Sequence, residues 1–101
     1  MAFKPIVVTK EIDGITYKAQ YNGVSESYRM QDECDGKNMK IAAYLLENVI
    51  VEPRISPDEI DEYFGTNFEH MNAVMEFAQK VMQADKEYFP APSKIGAKKE
   101  G

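Results

Sequence analysis

The sequence has few of the side chains that build disulfides, metal centres and membrane spans. Its only cysteine is Cys34, so an internal disulfide is excluded and a reducing compartment is favoured. One cysteine and one histidine, His70, give no spacing typical of a zinc site. No run approaches the roughly 18 apolar residues of a membrane-spanning helix, and the N-terminus lacks the apolar core of a secretory signal. These absences predict a cytoplasmic protein without a metal ion or a membrane partner.

Basic residues are also scarce, and the chain is short. Twelve basic residues against 17 acidic ones give a net charge of −5, which disfavours a nucleic acid partner. A chain of 101 residues forms one domain with a modest core, without room for a lidded substrate cleft. It contains neither a glycine-rich phosphate loop nor a nucleophile elbow. An enzyme using Cys34 and His70 is a remaining alternative, but no third residue is suggested to orient the pair. We expect a protein without catalytic residues or cofactors.

The N-terminal segment predicts a β-hairpin. Apolar residues alternate with polar ones after Asp13-Gly14, and that dipeptide suits a two-residue type I′ turn. The predicted strands are Ile6–Ile12 and Ile15–Tyr21. Residues 24–34 allow either a helix or a third strand, since Asn22-Gly23 could form another turn. Helix is preferred because serine, glutamate, glutamine and aspartate are poor strand formers. One helical side would then carry Val24, Tyr28, Gln31 and Cys34.

The rest of the chain predicts helices. Residues 39–48 have apolar side chains at helical spacing, and Pro53 requires the chain to leave that helix through an extended segment, residues 49–51. Ser56 and Glu59 form a predicted capping box, and Gly65 ends the short helix that follows. Thr66 and Glu69 predict a second capping box at the start of a last helix, residues 68–87. The predicted fold is a single α+β domain, residues 1–89, with an antiparallel hairpin followed by three to four helices. Residues 90–101 are predicted to form a flexible tail.

Two apolar stripes run along the last predicted helix, and together they exceed the width that one core usually covers. The first stripe contains Phe68, Met71, Met75, Ala78 and Met82. The second contains Val74, Phe77, Val81, Ala84 and Tyr88. We assign the second stripe to the core and the methionine stripe to a client or to a second copy of the chain, because thioether side chains repack readily. The alternative is that both stripes are core.

His70 falls on the apolar side of this helix, where a hydrogen-bonded structural histidine is expected. The carboxylates Asp58, Glu59, Asp61 and Glu62 occupy first-turn positions that suit the helix dipole. They form either a solvated face or an acidic docking patch. The candidate partner-binding residues are therefore Phe68, Met71, Met75, Met82, Asp58 and Glu62.

The order of these segments resembles a known family. "ITYKAQYNGV", the break "QDECDGKN" and "AAYLLENVIVEPRISPDEIDEYFG" are similar to the small tail assembly chaperones of long-tailed bacteriophages of Gram-positive hosts. "LLENVIVEP", residues 45–53, is the most specific element, and none of these segments is a catalytic motif. A copy encoded by a prophage would have the same pattern.

The resemblance implies a function and a client. Such chaperones bind the tape measure protein, a very long and aggregation-prone helical chain, and keep it soluble while tail-tube subunits assemble around it. The major tail tube protein and a second copy of the chain are further candidate partners. The resemblance also implies a location in the bacterial cytoplasm and absence from the finished virion. An alternative hypothesis is that the protein is a structural tail or head-completion component that self-assembles through its hairpin edge.

Overall fold

A computed structural model describes residues 3–89 of the chain, and it begins with the predicted hairpin. Strands β1 (Ile6–Ile12) and β2 (Ile15–Tyr21) pair antiparallel, from Ile6 opposite Tyr21 to Ile12 opposite Ile15. Asp13 and Gly14 have φ angles of 51° and 83°, and a type I′ turn requires positive φ at both of its central residues. Both strands and their turn are therefore confirmed. The predicted tail, residues 90–101, lies outside the described residues.

The segment that leaves the second helix forms a third strand. Helix α2 (Asn38–Asn48) ends at Val49, and β3 (Ile50–Glu52) then pairs antiparallel with β2. The Val49 carbonyl accepts a hydrogen bond of 2.8 Å from the Gln20 amide. The sheet order is β1-β2-β3, so β1 lies at one edge. The extended exit before Pro53 is confirmed, and its Val49 and Ile50 side chains are part of the core.

Residues 26–34 are helical, but the helix buries a different side from the predicted one. In α1 (Glu26–Cys34) the buried residues are Glu26, Met30 and Cys34, whereas Val24 and Tyr28 are exposed. The carboxylate of Glu26 accepts a hydrogen bond of 3.1 Å from the Tyr44 hydroxyl of α2. This buried polar contact turns the helix so that its glutamate, rather than its tyrosine, faces the core.

The short acidic helix begins as predicted. Ser56 and Glu59 form the capping box around a 3₁₀ turn (Pro57–Glu59), which continues as α3 (Ile60–Phe64) and ends at Gly65. The next cap differs from the prediction. Asn67, not Thr66, caps α4 (Phe68–Met82), because its side-chain oxygen accepts a 3.0 Å hydrogen bond from the His70 amide. Asparagine is among the strongest N-cap residues, and the cap moves one residue along the chain.

Helix α4 ends at Met82, five residues before the predicted end. Ala84 adopts a left-handed φ of 55°, its amide donates to the Val81 carbonyl, and the Asp85 amide donates to the Lys80 carbonyl. These two bonds define a Schellman motif, which ends a helix and reverses the chain. Tyr88 then packs edge-on against Phe77, with ring centroids 5.3 Å apart. The apolar periodicity continues past Met82, but the chain there folds back over the core.

The helices cover one face of the sheet. Alternate residues of β2 point into the core, and α4 packs against β2 and α2. The fully buried side chains of highest volume are Tyr17, Phe77, Leu45, Leu46, Ile50, Met82, Val49, Val74 and Val81. The α+β prediction, a hairpin followed by helices, is confirmed. Among residues 3–89, none of the helices has the length and apolarity required to cross a bilayer.

Candidate functional site

The predicted methionine stripe of α4 divides into an exposed half and a buried half. Ala78 and Met82 belong to the core, and Met82 is only 1% exposed, so the prediction of a continuous surface stripe is wrong at these two positions. Both side chains are part of the hydrophobic core that α4 forms with β2 and α2. At the other end Phe68 is 73% exposed, and Met71 and Met75 are half-buried.

An open groove lies between α3 and the exposed end of α4. Ile60 and Phe64 of α3 form one wall, and Phe68 and Met71 of α4 form the other. Residues 65–67 close the corner, and the groove has a volume of about 200 Å³. Pockets for small molecules typically measure about 300–1,000 Å³. The groove therefore has room for a few side chains of a partner rather than for a metabolite.

The carboxylates proposed for partner binding lie on the outer surface of this corner. Asp58 belongs to the 3₁₀ turn and Glu62 to α3, and both are exposed. Asp61 lines the groove itself. Among residues 3–89, none of these three carboxylates forms a salt bridge. The structure thus places Asp58, Glu62, Phe68 and Met71 around one corner and leaves Met82 apart from it.

A chain of polar contacts fixes the same corner to the sheet. His70 is 6% exposed, and its Nδ1 and Nε2 lie 2.7 Å from the Asp13 carboxylate and from the Tyr17 hydroxyl. The Tyr17 hydroxyl also lies 2.7 Å from that of Tyr63 in α3. An ionised carboxylate can only accept, so Nδ1 donates to Asp13, and a neutral ring accepts from Tyr17 at Nε2. We call these four residues the His70 relay. His70 is buried and hydrogen-bonded, as expected for a structural histidine.

The hydrogen bonds of the relay hold neighbouring elements of the fold together. Burial raises the pKa of Tyr17, so its phenol keeps its proton. Both ring nitrogens of His70 already have partners, and Cys34 is buried in α1. The hypothetical Cys34–His70 pair is therefore not formed. The relay joins the hairpin turn, β2, α3 and the first turn of α4.

Sequence reasoning did not find this relay or the buried Glu26 contact. Tyr17 and Asp13 lie 53 and 57 positions from His70, so no local spacing relates them. The apolar surroundings of His70 on the helix were the one available signal, because a buried imidazole needs hydrogen-bond partners. Glu26 gave no signal, since glutamate is usually exposed.

Within residues 3–89, no three His, Cys, Asp or Glu side chains are grouped so that they could hold a metal ion. The α3–α4 corner combines the exposed aromatic side chain of Phe68 with an apolar groove and the exposed carboxylate of Asp61. Comparison of the chain with protein-family models, with curated proteins and with solved structures gives no match.

Proposed function

We propose that the chain is a tail assembly chaperone of a long-tailed phage or prophage, which binds the tape measure protein and keeps it soluble during tail-tube assembly. The segment order around "LLENVIVEP" supports the choice of client, because that order resembles this chaperone family. The structural observation that carries the proposal is the uncovered groove beside Phe68. The chaperone would act in the bacterial cytoplasm and leave the tail before it is complete.

The groove has the features of a surface that receives a helix. Helix-in-groove recognition uses apolar side chains of the partner at positions i, i+3 or i+4, and i+7, which enter an apolar channel. Phe68, Met71 and Met75 follow one another at that same spacing along α4. A large aromatic side chain that is mostly exposed gains buried area when a partner helix covers it. Methionine neighbours let the surface adapt to different segments of a long client.

Coexpression with the tape measure protein tests the proposal. We expect the tape measure protein to be soluble with the wild-type chain and insoluble without it. Phe68→Asp should abolish this effect while the fold remains intact, because Phe68 is exposed. Tyr28→Asp is the matched control, since Tyr28 is an aromatic residue 71% exposed on α1. The proposal fails if the wild-type chain leaves the client insoluble, or if both variants lose activity equally.

Phe68 is a sharper probe than Met75. Met75 is half-buried and packs against the core, so Met75→Glu affects both folding and binding. A loss of solubilising activity in that variant would be ambiguous unless its stability were unchanged.

A second candidate function is that of a structural tail or head-completion component. The observation that favours it is the edge position of β1, a strand of seven residues that carries the exposed side chains Ile6 and Val7. Edge strands can pair with another chain. This candidate predicts the chain at fixed stoichiometry in purified particles, where the chaperone would be absent. Quantitative mass spectrometry of those particles separates the two.

A further inference from the structure

The acidic charge of the molecule is concentrated in the part of the chain that forms the groove. Residues 55–79 contain six carboxylates and no lysine or arginine, whereas the rest of the chain contains eleven acidic and twelve basic residues. The entire negative net charge therefore comes from this segment. All six side chains are exposed: Asp58, Glu59, Asp61, Glu62, Glu69 and Glu76.

These carboxylates have few basic neighbours. Glu76 lies 3.2 Å from Lys80, and among residues 3–89 this is the one salt bridge that any of the six makes. Asp61 lines the groove, and Asp58 precedes it by three residues, one turn earlier. Glu69 follows Phe68 in the sequence of α4 but does not line the groove. The groove thus has an apolar floor and an acidic rim on its α3 side.

We propose that the occupant of this groove is a positively charged amphipathic helix of the client, and this inference rests on the proposed function. Its apolar side chains would cover Phe64, Phe68 and Met71, and its lysine or arginine side chains would face the carboxylates of the rim. An acidic helix would place like charges together, which complementary interfaces avoid. A symmetric dimer through this face would bring two acidic rims into contact. The rim therefore selects basic segments of the tape measure protein.

Two synthetic peptides test the charge preference directly. Each has about 18 residues, or five helical turns, with leucines at the same positions. One carries lysines and the other glutamates beside the leucines. Binding is measured by fluorescence anisotropy at low and high salt. We expect the lysine peptide to bind at least roughly tenfold more tightly, with an affinity that falls as salt rises. Equal affinities, or no binding of the lysine peptide, would overturn the inference.

Charge-reversal variants locate the preference on the rim. Asp61→Lys combined with Glu62→Lys should remove the preference for the lysine peptide. The matched control is Glu33→Lys combined with Glu47→Lys, which changes the net charge equally at exposed positions of α1 and α2. The neutral pair Asp61→Asn and Glu62→Gln should give an intermediate affinity, and thermal melting reports whether each variant is folded. A control that loses as much affinity as the rim variant would show that only net charge matters, and the proposed rim would be wrong.

Coexpression with the tape measure protein separates this inference from the function on which it rests. If the wild-type chain and the Asp61/Glu62 lysine variant both solubilise the client, the charged-groove inference is wrong and the chaperone function stands. If the wild-type chain binds the lysine peptide but does not solubilise the client, the chaperone function is wrong and the groove preference stands. Loss of solubilisation in the rim variant alone supports both.

Discussion

The two ends of α4 have the same apolar periodicity and opposite environments. At the C-terminal end Met82 is covered by the core, and the reversed segment of residues 83–89 packs Tyr88 against Phe77. At the N-terminal end Phe68 faces solvent above an open groove. Periodicity defines which side of a helix is apolar, but it does not say how far the rest of the chain extends over that side. The uncovered end is therefore where a partner has surface to bury.

The two ends are also held in different ways. Directional hydrogen bonds of the His70 relay fix the exposed end, whereas apolar packing fixes the buried end. The ion pair between Lys80 and Glu87, 2.8 Å apart at the surface, adds little because exposed pairs are screened by water. Polar anchoring at the N-terminal end leaves the apolar side chains of the groove free for a partner.

Shortening one side chain at each end of α4 should give the largest difference in the free energy of unfolding. Met82→Ala should lower the free energy of unfolding by about 2–5 kcal/mol, because it removes a fully buried side chain and leaves a cavity. Phe68→Ala should change it by no more than about 0.5 kcal/mol, as expected for an exposed position. Denaturant unfolding measures both. Similar losses for the two variants would mean that the ends do not differ.

Removal of one hydroxyl tests the polar anchor. Tyr17→Phe should lower the free energy of unfolding by about 1–3 kcal/mol, because the buried Nε2 of His70 loses its hydrogen-bond partner. Tyr28→Phe is the control, since that hydroxyl belongs to an exposed side chain. The same denaturant experiment applies. A neutral Tyr17→Phe would show that the relay does not stabilise the corner.

Alkaline pH should weaken the fold through the same tyrosine. The pKa of Tyr17 is raised above its ordinary 10.0 by burial, so the folded state keeps the proton that the unfolded state releases. This contribution to stability is fully present below the ordinary pKa and is lost as the pH rises towards the folded-state pKa. Unfolding midpoints measured from about pH 8 to about pH 11 should therefore fall. Tyr17→Phe should show a shallower decline, and an equal slope would contradict the assignment.

Local patterns predicted the hairpin, its Asp13-Gly14 turn and the capping box at Ser56, because each depends on residues close together in sequence. The buried side of α1 was missed because Tyr44, the partner of Glu26, lies 18 positions away. The end of α4 was missed because Ala84 carries no stop signal, unlike the glycine usual at that position. Phe68 was correctly predicted to lie at the surface. Met82 was wrongly predicted to lie there, because the covered part of α4 depends on packing against elements that are distant in sequence.

Ala84→Gly should produce a small gain in stability. Alanine at a φ of 55° costs about 1–2 kcal/mol, and glycine removes this cost. Glycine in turn lowers stability by about 0.4–1 kcal/mol, because its unfolded chain has more conformational freedom. The expected net gain is about 0.5–1 kcal/mol. Ala73→Gly, inside α4, should instead lose about 1 kcal/mol, since glycine is a poor helix former. Denaturant midpoints distinguish the two signs. Because the substitution lies beyond the C-terminal end of α4, the affinity for the lysine peptide at the N-terminal end should stay unchanged. A changed affinity would show that the two ends of the helix are coupled.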